Sequence, residues 1–438
     1  MKPHDIAAAL AAFSLPLTAN AETVAEAIRD DMPGLMEIYR DLHANPELSF
    51  QEERSAGVMA RAARDAGFEV TEGVGRTGIV ALMRNGPGPT VLIRADMDGL
   101  PVTEQTGLPY ASTRTGVPES GVESGIMHAC GHDTHMTGWI ATARQMAERR
   151  GEWSGTLVMI GQPAEELGLG AREMLADGLY ERFPKPDYTL AFHDTPQLPA
   201  GTIGAAPGWM LANVDSVDVT VKGVGGHGAY PQTTRDPIVL ASAIVMKLQT
   251  LASREIDPSD PVVVTVGSFH AGTKHNIISD EARLQLTVRS YSDATRRKLL
   301  DGIRRIARGE AMAAGMPDDL MPEVSVKEPY TRATWNSPVF TEQTMAHLSQ
   351  NMGEDRVRTV PPVMGGEDFG EFRRADEDSI ESFIFWVGGT PAERLSEAAN
   401  GGDPIPSLHS PFWAPDAEAV IGAGAEALTL TALRLMPK

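Results

Sequence analysis

Met127-His128-Ala129-Cys130-Gly131-His132-Asp133-Thr134-His135-Met136 holds the only cysteine of the chain and three of its eleven histidines. Cys130 and His132 are spaced Cys-x-His where an apolar segment gives way to a helical pattern. From Met136, apolar Ile140, Ala143 and Ala147 recur, with polar Arg144, Glu148 and Arg149 between them. Asp133 or Thr134 is the expected cap of that helix. A thiolate and an imidazole on one turn are the ligands that zinc-like ions favour. A lone Cys-x-His is more often a buried free cysteine beside surface histidines, so the rest of the chain must supply further ligands.

Working outward, apolar runs at 78–83, 90–94, 156–161, 188–192 and 383–387 read as buried strands separated by helical patterns. The first two flank Asn85-Gly86-Pro87-Gly88-Pro89 and are expected to form a hairpin. Most of the runs end in polar or glycine residues: Asp96-Met97-Asp98, Gln162-Pro163-Ala164-Glu165-Glu166, His193-Asp194, Gly388-Gly389. Ligands of open α/β sheets bind outside the carboxyl ends of the strands. The sequence therefore gathers Asp96, Asp98, Glu165, Glu166 and His193 around the Cys130–His132 turn. Adjacent carboxylates at Glu165 and Glu166 can divide the labour of a hydrolytic metal site, one as ligand and one as base.

The texture changes near Asn213. Val217, Val219 and Val221 alternate as in a half-buried strand, and Asp236-Pro237 caps a long helix. Strands at 261–269 and 282–290, a helix at 294–314 and a short strand at 323–326 complete the order β-α-β-β-α-β, that of a ferredoxin-like unit. The expected division is residues 22–212 and 329–438 for an α/β domain and 213–328 for the insertion.

Lysine and arginine total 38 against 59 aspartates and glutamates, a net charge of −21. That balance argues against nucleic-acid binding and against an anionic membrane surface. A twelve-residue apolar run from Ile6 to Leu17, followed by Ala19-Asn20-Ala21, has the form of a secretory signal cleaved after Ala21. It is too short to span a bilayer. The expected location is periplasmic or secreted, the alternative being a cytoplasmic protein with an Ala-rich start.

Seven motifs in order complete the picture: His43-Ala44-Asn45-Pro46-Glu47-Leu48-Ser49, Ala95-Asp96-Met97-Asp98-Gly99-Leu100-Pro101, Met127–Asp133, Gln162–Glu166, Gly226-His227-Gly228-Ala229, Gly365-Gly366-Glu367-Asp368-Phe369 and Leu408-His409-Ser410-Pro411. Together they resemble the aminoacylase/carboxypeptidase-like amidohydrolases, in the branch of hippurate hydrolases and auxin-conjugate hydrolases. The resemblance implies an aminopeptidase-like α/β catalytic domain with an inserted dimerisation or lid domain. It implies two divalent ions per subunit, zinc or manganese, held by Cys130, His132, Glu166, His193 and His409. Glu165 would be the general base and later proton donor, and Asp98 would steady the site. His227 would reach the neighbouring subunit of a homodimer and polarise the scissile carbonyl. Asn276 matches a substrate-contacting position, and Arg289 is the candidate for the substrate carboxylate. Two departures from the family's usual pattern are expected to touch the pocket: Ser279, where proline is common, and Phe192 and Asp194 flanking His193.

The implied reaction is hydrolysis of an N-acyl amino acid, or a related amide conjugate, to a carboxylate and an amino acid. A dipeptidase or carboxypeptidase would use the same chemistry on peptides. A non-catalytic metal- or ligand-binding protein on this scaffold is the rival from another class, and it would have no use for a base at Glu165.

Overall fold

Strand Thr90–Asp96 lies inside an eight-stranded mixed sheet, between Thr156–Gln162 and Tyr188–Pro199, and runs parallel to both. The computed structural model describes residues 22–119 and 121–438. The proposed signal, residues 1–21, lies outside them. Across the sheet the order is Glu69–Val74, Gly78–Arg84, Thr156–Gln162, Thr90–Asp96, Tyr188–Pro199, Glu381–Thr390, Ile203–Ala205, Val357–Thr359. The inner strands are buried over nearly their whole length, as strands covered on both faces must be.

The expected hairpin at residues 85–89 does not form. Gly78–Arg84 and Thr90–Asp96 each pair with Thr156–Gln162, antiparallel and parallel respectively, which seats that strand between them. The Gly-Pro turn reverses the chain, but Asn85 exchanges its backbone hydrogen bonds with Gly155 rather than across the turn.

Helices Val24–His43, His132–Glu148 and Ala417–Leu435 pack on one face of the sheet. Their closest approach is fitted around Phe192. A Cβ added at Gly138 or at Gly424 would lie 2.8 Å from its ring, so both helices come nearer than any side chain would allow. Phe192 therefore belongs to the core and does not touch the pocket, contrary to the expectation from its place beside His193.

Strands Asn213–Lys222, Val263–Ala271, Glu281–Ser290 and Glu323–Val326, with helices Pro237–Thr250 and Asp293–Ala313, form the inserted β-α-β-β-α-β domain. Its sheet is wholly antiparallel, in the order Val263–Ala271, Glu281–Ser290, Asn213–Lys222, Glu323–Val326. Val217, Val219, Val221, Leu284, Leu286 and Val288 face the two helices in a separate core. Asp236 caps the first helix through the backbone N–H groups of Ile238 and Val239, with Pro237 in the first turn. Among the described residues the opposite face of the sheet carries no helix. The insertion joins the large domain through a short ribbon, Gly208–Leu211 against Thr334–Asn336. Among the described residues no helix is long and apolar enough to cross a membrane.

Gly424→Ala should lower stability by about 1–3 kcal/mol through overpacking on Phe192. Adding Phe192→Leu should cost less than the sum of the two single changes, because the smaller side chain makes room. Denaturant unfolding of the four proteins measures the coupling.

Candidate metal centre

The Cys-x-His turn takes its shape from Gly131. This residue sits at φ +78° as the N-cap of the helix His132–Glu148, and a Cβ there would fall 2.4 Å from an Asp194 carboxylate oxygen. The cap is thus Gly131 and not Asp133 or Thr134. A left-handed residue can turn the chain here without a capping side chain, which frees Asp133 to bond His43 at 2.6 Å. Starting the helix at His132 places that imidazole in its first turn, pointing at the strand ends.

The structure brings together Cys130, His132, Glu165, Glu166, His193 and His409. Cys130 Sγ lies 3.4 Å from His193 Nε2 and 3.3 Å from His409 Nε2. His409 Nε2 is 3.5 Å from Glu166, and His132 Nε2 is 3.9 Å from both Glu165 and Glu166. Cys130 belongs to two sets of converging donor atoms, one with His132 and His193 and one with Glu166 and His409. His409 arrives on a loop, at φ +66°, fixed by its backbone N–H donating to Ala129.

This cluster fits two divalent cations. Both ring nitrogens of buried His132 and one oxygen of Glu166 lack hydrogen-bond partners, and polar groups are seldom buried that way. Burial and the charges of Glu166 and Glu165 push the Cys130 thiol well above its ordinary range. Burial pushes Glu166 up to about 7, with His132 opposing it. Thiolate and carboxylate ligands this close need positive charge between them. His135, by contrast, is spoken for. The backbone N–H of Asp194 donates to its Nε2 at 2.9 Å, so its proton sits on Nδ1, 2.6 Å from Asp96. A ring with both nitrogens engaged is a support and not a ligand.

Asp98 steadies the Glu165–Glu166 turn directly. It accepts from the backbone N–H groups of both glutamates at 3.1 Å and from Ser49 Oγ at 2.6 Å. Glu52 holds the preceding residue, Ala164, whose φ of +48° is unusual for alanine, by accepting its N–H at 2.8 Å. Burial, with Glu367 and Glu166 nearby, raises Glu165 well above the usual carboxylate range. Asp194 accepts from Trp413 Nε1 at 2.9 Å, and its carbonyl bonds His193 Nδ1 at 2.7 Å, fixing that imidazole's orientation.

Sequence reading missed the layer beneath. Arg94, fully buried, bonds Gln162 at 2.8 Å, Asp96 at 2.7 Å and Glu367 at 2.7 Å, and Gln162 bonds Asp368 at 2.6 Å. The one available signal was an arginine inside a strand otherwise apolar, followed by Asp-Met-Asp.

A cavity of about 580 Å³ opens beside the cluster. Arg289, Lys327 and Ser216 of the insertion line it from one side, and Leu211, Met364, Trp386 and Leu408 supply much of its apolar wall. His227 and Asn276 do not line it. They sit side by side on an exposed ribbon, Gly226–His227 against Ile277–Ile278, with Gly228 N–H donating to the Asn276 carbonyl at 2.8 Å. Ser279 is on that ribbon too, bonded to the Glu281 carbonyl and outside the cavity of its own chain. A second cleft of about 560 Å³ lies between the Val24–His43 and Ala417–Leu435 helices.

Residues 92–401 match the model of peptidase family M20/M25/M40. N-acetylcysteine deacetylase of Bacillus subtilis is 34% identical over 367 residues, 83% of this chain and 90% of that protein. Hippurate hydrolase of Campylobacter jejuni is 36% identical over 345 residues, 78% of this chain and 86% of that protein. A crystal structure of a dinuclear metal-binding peptidase of the M20 family from Bacillus subtilis superposes with a TM-score of 0.72 and 30% identity, covering 93% of this chain and 99% of the other.

His43 ties the N-terminal helix to this centre, 2.6 Å from Asp133 and 3.0 Å from Glu104. Burial opposes its charge, but the two carboxylates outweigh it and raise its pKa to about 10. A folded value above the roughly 6.5 of an unfolded histidine means stabilisation that is complete below about pH 6.5 and lost as pH climbs to about 10. His43→Gln should therefore cost about 3 kcal/mol near pH 6. Urea midpoints of both proteins should converge as the pH approaches 10.

Proposed function

Since the chain belongs to peptidase family M20/M25/M40 and is a metal-dependent amidohydrolase of acylated small molecules, we propose that its substrates are N-acyl amino acids. This is the chemistry of the hippurate and auxin-conjugate branch, and two relatives named for N-acyl amino acid substrates support it. The observation that carries the reading is the juxtaposition of a carboxylate of raised proton affinity, Glu165, with a cavity walled by both apolar side chains and Arg289.

Cys130, His132, Glu166, His193 and His409 would hold two divalent ions, zinc or manganese. When bound, such ions acidify water and polarise an acyl oxygen. The chain's own groups do the rest. Glu165, not needed as a ligand, takes the proton of the attacking water and passes it to the departing amine nitrogen. A carboxylate raised toward the working pH serves both transfers. Arg289 is half-buried and keeps its guanidinium in place through Thr287 Oγ1 at 3.0 Å and the Met364 carbonyl at 3.3 Å. It orients the substrate carboxylate.

His227 and Asn276 enter this reading from a second copy of the chain. Two features of the insertion support a dimer through it. Strand Val263–Ala271 is a sheet edge with one side unpaired. Beside it the helix Pro237–Thr250 exposes Val239 and Met246, seven residues apart and so on one face, with Phe269 exposed on the edge strand itself. Export after cleavage at Ala21 belongs to the same reading and rests on the sequence alone.

Glu165→Gln should keep close to two divalent ions per subunit and lose about 10²–10⁴-fold in turnover of an N-acyl amino acid, whereas Cys130→Ala should lose metal. Elemental analysis beside steady-state assays separates the two, and near-normal turnover of metal-replete Glu165→Gln would remove Glu165 from its role. If His227 serves the neighbouring site, mixing His227→Ala with Glu165→Ala makes about half the dimers mixed, each with one intact site of two. Roughly a quarter of wild-type activity should return; none returning after verified subunit exchange would mean that His227 acts within its own chain or not at all.

A further inference from the structure

The helix-free face of the inserted sheet forms the roof of the cavity, and its charge is not explained by one substrate carboxylate. Arg289 lies opposite Val214 on one side of the strand Asn213–Lys222. Lys327 extends the pairing on the other side, its N–H donating to the Ser216 carbonyl at 2.9 Å. Both line the cavity. Two strand spacings and two residues separate them, on the order of 12 Å between Cα positions. Their side chains therefore serve two points on a ligand and not one.

Neither cation has a carboxylate partner among the described residues. Arg289 bonds a hydroxyl and a carbonyl. The carboxylates near Lys327 are engaged elsewhere: Glu328 with Arg296 at 3.1 Å, Asp218 with Gln285 at 3.2 Å, Glu323 with Lys222. In a chain with 59 acidic and 38 basic residues, two unpaired cations on one cavity wall mark a site built for negative charge. Besides Ser216, the wall around them offers the side chains of Leu211, Val214 and Met364, none of which carries a charge to balance either cation.

We infer that the preferred substrate carries a second carboxylate, held by Lys327 while Arg289 holds the first. This rests on the N-acyl-amino-acid reading and sharpens it to diacids. The second carboxylate can belong to the amino-acid half, as in N-acetyl-L-glutamate, or to the acyl half, as in an N-succinyl amino acid.

Two isosteric pairs test it on the metal-loaded enzyme: N-acetyl-L-glutamate against N-acetyl-L-glutamine, and N-succinyl-L-valine against its terminal amide. In one pair kcat/KM should favour the acid by about fivefold to tenfold, as expected for one partly solvated charge pair, and the pair that responds identifies the half of the substrate facing Lys327. Lys327→Met should bring that ratio close to one, and Lys327→Arg should retain it. Raising the ionic strength to about 1 M, where screening acts over about 3 Å, should shrink it as well. Hydrolysis of all four compounds with ratios below about twofold would overturn this inference and leave the N-acyl-amino-acid reading standing. A ratio that survives Lys327→Met would overturn it too, by assigning the charge to another group. Hydrolysis of none of the four would defeat both.

Discussion

One buried guanidinium underlies the metal centre. Arg94 has no solvent to fall back on, so its charge is balanced by Asp96 and Glu367 and its remaining donors by Gln162. These partners come from its own strand, the adjacent strand end and the Gly365-Gly366-Glu367-Asp368 loop, so one side chain sets the spacing of three segments. From Asp96 the order passes through His135 to the backbone of Asp194 and so to His193. Isolated, each group would be costly to bury; assembled, they satisfy one another and leave little freedom. The donor cluster above them inherits that rigidity.

The cavity beside the centre is built from two parts of the chain. Cys130, His132, Glu166 and His193 stand on strand ends and helix starts of the large domain, whereas Arg289 and Lys327 stand on the insertion. The two are joined by the ribbon of Gly208–Leu211 and Thr334–Asn336, braced by Trp209 packed edge-on against Trp335 with centroids 4.6 Å apart, and by the bond from Arg289 to the Met364 carbonyl at 3.3 Å. Donor cluster and cationic wall thus come from different parts of the chain, and the cavity lies where they meet. His227 and Asn276 stand exposed on the same insertion.

Much of this was legible in the chain. Alternating valines from Val217 to Val221 and the Asp236-Pro237 cap marked the insertion, because burial on one face and capping are local events. Polar residues closing apolar runs marked the strand ends that meet at Cys130. Partner choice was not legible. The Asn85–Pro89 turn has the chemistry of a hairpin, yet the strand from 156 to 162, some seventy residues on, occupies the place between, and no local signal carries that information. The role of Arg94 was hidden for the same reason: its carboxylate partner Glu367 is 273 positions away. Phe192 was misplaced because neighbours on a strand point to opposite faces, so lying beside a ligand put it in the core.

Gly131 carries a consequence for how such a chain can change over time. Its left-handed backbone and the Asp194 oxygen in the space a Cβ would occupy leave it no substitute among the twenty residues. Every missense change at its codon moves the turn bearing Cys130 and His132 and displaces the carboxylate that fixes His193. Divergence toward new substrates is therefore channelled away from the floor of the site and onto its roof, where a changed side chain alters what is held without altering what reacts.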